Sequence, residues 1–191
     1  MSVKGCRTKV EPAHDVLVNV NALGEVVPSA RFMGGRAFDM IRSGHSAEST
    51  GCDRAHVLAN RTMLMPSVKQ SAGPFHGCTM HWQGPPDNDG QRMAALSFYL
   101  ALMTNYCLDL IGAEGPLIIE GPFTRNKAYL DMLASIRPAG VFVAASSTGT
   151  SVGAALLFTN HVPDVQNRKI AIPEDFAALS SYASAWNLNI S

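Results

Sequence analysis

Apolar and polar positions follow no clear period over residues 1–14. Leu17-Val18-Asn19-Val20 and Glu25-Val26-Val27, separated by Asn21-Ala22-Leu23-Gly24, then predict two strands joined by a turn. Arg31-Phe32-Met33 runs into Gly34-Gly35, and that pair predicts a tight turn before a short helix over 36–41. Residues 43–52 read as loop, 54–60 as a short helix, and Met63-Leu64-Met65 as a buried strand stopped by Pro66. Residues 66–90 are rich in Pro and Gly and read as one long loop. Loops of that length inside a compact domain commonly cover or bind something.

Order increases in the second half. From Arg92 to Ile111, Leu96, Leu100, Met103, Cys107 and Leu110 recur at three- and four-residue steps, predicting a helix that Gly112 ends. Leu117-Ile118-Ile119 predicts a strand broken by Gly121-Pro122, followed by a helix over 127–136 and a turn at Pro138-Ala139-Gly140. A strand over 141–145, a small-residue loop over 146–151 and a helix over 152–158 come next. Pro173, with Glu174 and Asp175 behind it, predicts the start of a last helix towards Trp186. The expected fold class is α/β: a β-rich start, then alternating helices and strands with at least one parallel pair.

Residues 94–113 carry one charge, Asp109, and approach the ~20 residues a bilayer span needs. Ser97, Thr104, Asn105 and Asp109 fall inside that stretch. A central carboxylate is costly in lipid, so the segment reads as a core helix buried on most sides.

The 15 basic and 15 acidic residues cancel, which removes the footprint of a general nucleic-acid binder and of a polybasic membrane arm. Only 16% of residues are charged, against a usual ~25%. Such a surface leaves room for a face that lies against more protein, a second copy of the chain included. Cys6, Cys52, Cys78 and Cys107 have no framework spacing and read as reduced thiols of a cytoplasmic protein. No apolar segment follows the basic residues near Met1, so no signal peptide is expected.

Three places carry candidate chemistry. Glu120-Gly121-Pro122-Phe123-Thr124-Arg125-Asn126 leaves a strand and enters a helix. That geometry suits a phosphate or nucleotide, and equally an ordinary strand-to-helix turn. Ser146-Ser147-Thr148-Gly149-Thr150-Ser151 is similar in composition but has no Gly-Lys-Ser/Thr, and its hydroxyls also fit plain helix caps. His76, Cys78 and His81 could be read as a zinc site, although their spacing matches no standard finger. Glu114 and Glu120 have no evident acidic partner, and no G-x-S-x-G elbow occurs, so no general base stands out.

Taken in order, four segments resemble the C-terminal part of an FGGY-type carbohydrate kinase. They are Phe32-Met33-Gly34-Gly35-Arg36-x-Phe38, the helix ending Cys107-Leu108-Asp109-Leu110-Ile111-Gly112, Ile118-Ile119-Glu120-Gly121-Pro122-Phe123-x-Arg125-Asn126, and Gly149-Thr150-Ser151-Val152-Gly153-Ala154-Ala155-Leu156-Leu157. The resemblance implies a ribonuclease H-like domain of the actin and hexokinase type over residues 15–191, after an irregular start over 1–14. In that family two such domains close on a cleft, with ATP held mostly by the second and sugar mostly by the first.

The resemblance further implies that Gly121 is the first glycine of the adenosine motif and that Asn126 approaches the adenine. Phe123 and Thr124 would line the same turn. Pro122 replaces the motif's second glycine. The catalytic aspartate and sugar-binding residues of the family belong to an N-terminal domain with no counterpart here. The implied function is therefore the ATP-binding half of a kinase that moves the γ-phosphoryl of ATP to a sugar or polyol hydroxyl. Mg²⁺ is implied with it, with no ligand identified in this chain. The isolated chain is expected to be inactive; a non-catalytic nucleotide- or partner-binding module is the alternative.

Overall fold

The computed structural model describes residues 12–21, 24–44, 48–68, 72–145 and 166–190. Strands β1 (Val16–Val20) and β2 (Val26–Ala30) form an antiparallel hairpin with Val18 opposite Pro28. Proline gives no ladder donor and is tolerated because both strands of a two-stranded sheet are edges. The register puts Val16, Val18, Val20, Val26, Pro28 and Ala30 on one face. That face is apolar throughout, and Val20 and Val26 are 66% and 67% exposed. At its base the buried Asp15 accepts two bonds from Arg31, each 3.0 Å, and one from the Gly73 N–H at 2.9 Å.

Helix α1 (Gly34–Arg42) begins two residues before the expected start, so Gly34 and Gly35 form its first turn and are not a turn ahead of it. A Cβ at Gly34 would stand 3.1 Å from the Phe32 ring, which folds back over the helix start. Helix α2 (Gly51–Asn60) likewise reaches back into the expected loop. Thr50 and Asp53 form a reciprocal capping box there, satisfying two backbone donors.

Strand β3 (Met63–Met65) pairs antiparallel with β4 (His81–Gln83), which lies inside what the sequence presents as one loop. Helix α3 (Asp89–Leu110) starts at its Asn88 cap, three residues ahead of expectation. It is the centre of the molecule: every residue from Ala94 to Met103 is buried. Helices α1, α2 and, in the second half, α4 (Lys127–Ile136) pack around it. Among the described residues α3 is the one helix long and apolar enough to cross a membrane, yet most of its apolar stretch is enclosed by the protein.

Strands β5 (Leu117–Ile119) and β6 (Val141–Val143) flank α4 and pair in parallel, as the alternation predicts. Strand β7 (Arg168–Lys169) adds an antiparallel edge that no sequence pattern announces. Helix α5 (Phe176–Ile190) starts three residues after Pro173, because the segment carrying Pro173 to Asp175 turns before the helix begins. It is tied to the β3 segment by Tyr182 Oη, which donates to Thr62 O at 2.7 Å, and by Trp186 Nε1, which donates to Leu64 O at 2.9 Å. Both bonds satisfy the polar tip of a buried aromatic side chain. The loop expected over 146–151 and the helix expected over 152–158 lie outside the described residues.

Candidate functional site

The connection from β5 to α4 is built by three local constraints. Gly121 sits at φ 82, ψ −163, a region essentially closed to other residues. Apart from its chain neighbours, no atom of the described residues lies within 4 Å of a Cβ built there, so the backbone angle alone demands glycine. Pro122 opens a 3₁₀ turn over Pro122–Arg125, where its fixed φ suits the first position. The Thr124 N–H and hydroxyl both donate to Gly121 O, at 3.2 and 2.7 Å, and close the turn.

Asn126 then caps α4. Its Oδ1 accepts from the Tyr129 N–H at 3.0 Å, and its Nδ2 donates to Ser97 Oγ at 2.9 Å. Phe123 faces inward: its ring stacks on Tyr129 at 5.4 Å between centroids and meets Phe38 edge-on at 6.1 Å. These contacts make Phe123 part of the packing beneath the turn.

A cleft of about 1700 Å³ opens beside this turn, between α2, the start of α4 and the segment 168–178. Thr124 and Asn126 line it, as do Ser97 and Met93 of α3; Gly121, Pro122 and Phe123 do not. Of the five residues that the resemblance implicates, the structure brings two to the cleft, while the other three shape the turn that presents them.

The floor of the cleft is an ionic network. Arg54 of α2 donates to Asp131 of α4 at 2.7 Å and to Asp175 at 3.0 Å, and lies over the Phe98 ring at 6.0 Å. Lys127 reaches the same Asp131 oxygen at 2.7 Å. Arg42, Arg61, Arg125 and Arg168 line the rest of the cleft and outnumber Glu48 and Glu174 beside them, and the N-terminus of α4 adds partial positive charge. The arrangement suits a ligand with a flat polar group at the α4 end and negative charge elsewhere.

The sequence analysis gives no site role to Ser97, Arg54, Asp131 or Asp175. The one signal available was the Lys127–Asp131 spacing of four on a helix. Nothing local connects Arg54 to a partner 77 residues away. Among the described residues no group of three or more His, Cys, Asp or Glu could hold a metal ion. His76, Cys78 and His81 are exposed and form no such group. Asp131 and Asp175, which line the cleft, are engaged by Arg54 and do not fit a Mg²⁺ site.

Comparison with known proteins gives the family of the domain. The family model for the C-terminal domain of FGGY carbohydrate kinases matches residues 1–167. No curated protein matches the sequence. Among solved structures, a carbohydrate kinase from Novosphingobium aromaticivorans superposes with a TM-score of 0.82 at 30% identity, over 96% of this chain and 42% of that one. A xylulose kinase from Rhodospirillum rubrum superposes with a TM-score of 0.64 at 14% identity, over 92% of this chain and 41% of that one, and supports the fold alone. The chain thus spans about two fifths of the length of each of these kinases. Its mixed sheet with helices around α3 is the actin-like, ribonuclease H-like architecture of that domain. On the match over residues 1–167, the chain belongs to the FGGY carbohydrate kinases, as their C-terminal domain.

Proposed function

We propose that this domain is the nucleotide-holding half of a kinase that transfers the γ-phosphoryl of ATP to a hydroxyl of a sugar or polyol. The observation that carries the reading is the position of Asn126. Asn126 lines the cleft at the turn after β5, where ligands of open α/β sheets bind. In this reading the adenine lies at the α4 end near Asn126 and Thr124, and the phosphates extend towards the arginines of the walls. Mg²⁺ would neutralise phosphate charge when bound with the nucleotide. The described residues offer it no acidic cluster, so the chain's own part is to bind and orient the nucleoside.

Phosphoryl transfer also needs positioned phosphate donors and a group that accepts the hydroxyl proton. Those groups, with the sugar site, belong in this reading to the part of the kinase that the chain does not span. The 191-residue chain alone then binds ATP without phosphorylating any sugar. Free Cys52, Cys78 and Cys107 fit a reducing, cytoplasmic compartment.

Calorimetric titration of ATP into the chain tests the reading, with Asn126→Ser as the control. Serine keeps the cap on α4 but removes the amide, so lost affinity reports the nucleoside contact and not a frayed helix. Measurable ATP binding that falls at least several-fold in the variant is the expected result. Absence of ATP binding by the unaltered chain, or rapid sugar phosphorylation by that chain alone, contradicts it.

A further inference from the structure

The two carboxylates on Arg54 are held unequally. Asp131 sits in the middle of α4 with its side chain 7% exposed, and one of its oxygens receives both Arg54 and Lys127, each at 2.7 Å. Asp175 stands just ahead of α5 with its side chain 36% exposed, and its bond to Arg54 is 3.0 Å long. Removing Asp131 from Arg54 would strand a buried charge. Asp175 can turn out into water at a smaller cost, because its carboxylate is already partly hydrated.

The network is neutral only while Asp175 is in place: Arg54 and Lys127 stand against Asp131 and Asp175. All four residues line the cleft. With Asp175 turned out, one positive charge on that lining is unmatched and a guanidinium N–H of Arg54 is open to another acceptor. A phosphate group is the stronger competitor for it, since it carries more charge than a carboxylate and takes paired bonds from arginine. A neutral base or sugar offers no such exchange. The family match ends at residue 167 and does not include Asp175.

We infer that Asp175 is a built-in competitor for Arg54, and that a phosphate-bearing ligand entering the cleft displaces it and binds Arg54 beside Asp131. The ligand class rests on the nucleotide reading above; inorganic polyphosphate carries the same chemistry. The test is calorimetric titration of the whole chain, unaltered and as Asp175→Asn and Glu174→Gln, with ATP, adenosine and inorganic tripolyphosphate. Glu174 also lines the cleft, but the hydrogen bonds of Arg54 among the described residues go to Asp131 and Asp175. Its substitution therefore removes the same charge without freeing Arg54.

Asp175→Asn is expected to tighten tripolyphosphate and ATP about tenfold, the size of one charge-assisted hydrogen bond no longer contested, with adenosine unchanged. Glu174→Gln should tighten them about twofold or less, because its charge acts through screening solvent. Urea unfolding establishes that Asp175→Asn is folded; if it is not, Asp175→Ser, which keeps a good acceptor at the helix start, takes its place with the same expected gain.

Equal tightening by the Asp175 and Glu174 variants overturns the exchange, as does tripolyphosphate binding that is absent from or unimproved in the Asp175 variant. A matching gain for adenosine overturns the phosphate assignment. If the unaltered chain binds no ATP while the Asp175 variant gains tripolyphosphate, the nucleotide reading falls and the exchange stands. ATP binding with no gain in that variant removes the exchange alone.

Discussion

Arg54 and Asp131, 77 residues apart in sequence, meet at 2.7 Å with side chains only 13% and 7% exposed. The pair joins α2 to α4, and the second bond of Arg54, to Asp175, brings in the segment ahead of α5. A charge so enclosed cannot be left alone. Arg54→Ala is expected to destabilise the fold by about 3 kcal/mol, the low end for breaking a buried pair. The low end applies because Lys127 still reaches Asp131. Replacing both members together, Arg54→Met with Asp131→Leu, should cost less than Arg54→Ala alone. Urea unfolding at constant m-value measures both.

Gly90 is required by its neighbour and not by its own backbone angle. A Cβ there would run into the carboxylate of Asp53, which is committed to Thr50 through bonds of 2.9 and 2.6 Å. Gly90→Ala should therefore undo the capping box of α2 and destabilise by about 1–2 kcal/mol, like the loss of an N-cap. Thr50→Ala should have a similar effect. The two should be non-additive in thermal unfolding, since each removes the same cap.

Acid should act on Asp15. The Arg31 guanidinium bonded to it, and then the Gly73 N–H, hold its carboxyl below the usual carboxylate range. A lowered folded-state pKa contributes stability above the ordinary value, and this is lost as pH falls through the folded one. Stability should thus decline below about pH 4, and Asp15→Asn should flatten that decline while lowering stability at neutral pH. Urea midpoints across the acid range check the slope.

The apolar face of the β1–β2 hairpin should make the chain self-associate. Val18, Val20 and Val26 are exposed together on it, and exposed apolar surface seeks cover. Sedimentation velocity should show mass rising with concentration, and Val20→Lys with Val26→Lys should suppress the rise. A concentration-independent monomer counts against this expectation.

The second half was the more legible part, for a physical reason. The β5–α4–β6 unit is set by local periodicity and by punctuation at Gly121-Pro122 and Pro138, and its strands and helix lie where those signals put them. Strand β4 is only His81-Trp82-Gln83, too short to show a period, and it exists because β3 supplies its partner. The early start of α2 was present in the sequence as Thr50 with Asp53 three residues on. The serine and glycine content around it obscured that signal. At the site, Gly121 and Asn126 were named through the family resemblance, and the positive φ of one and the capping role of the other were added by the structure. Ser97 was not named, because one hydroxyl in an apolar helix acquires meaning only when Asn126 arrives 29 residues later.

Helix α5 shows where a usable boundary lies. The family match stops at residue 167, yet Leu179, Tyr182, Ala183 and Trp186 of α5 are buried in the same core as α3. Trp186 and Tyr182 also supply the donors for carbonyls at Leu64 and Thr62, more than 100 positions earlier. A recombinant version trimmed to the matched region would expose that core and leave both carbonyls without their partners. On the ribosome, the segment around β3 must likewise wait for almost the whole chain before it is covered. Expression vectors for this domain, and searches for its relatives, should therefore keep the residues beyond 167.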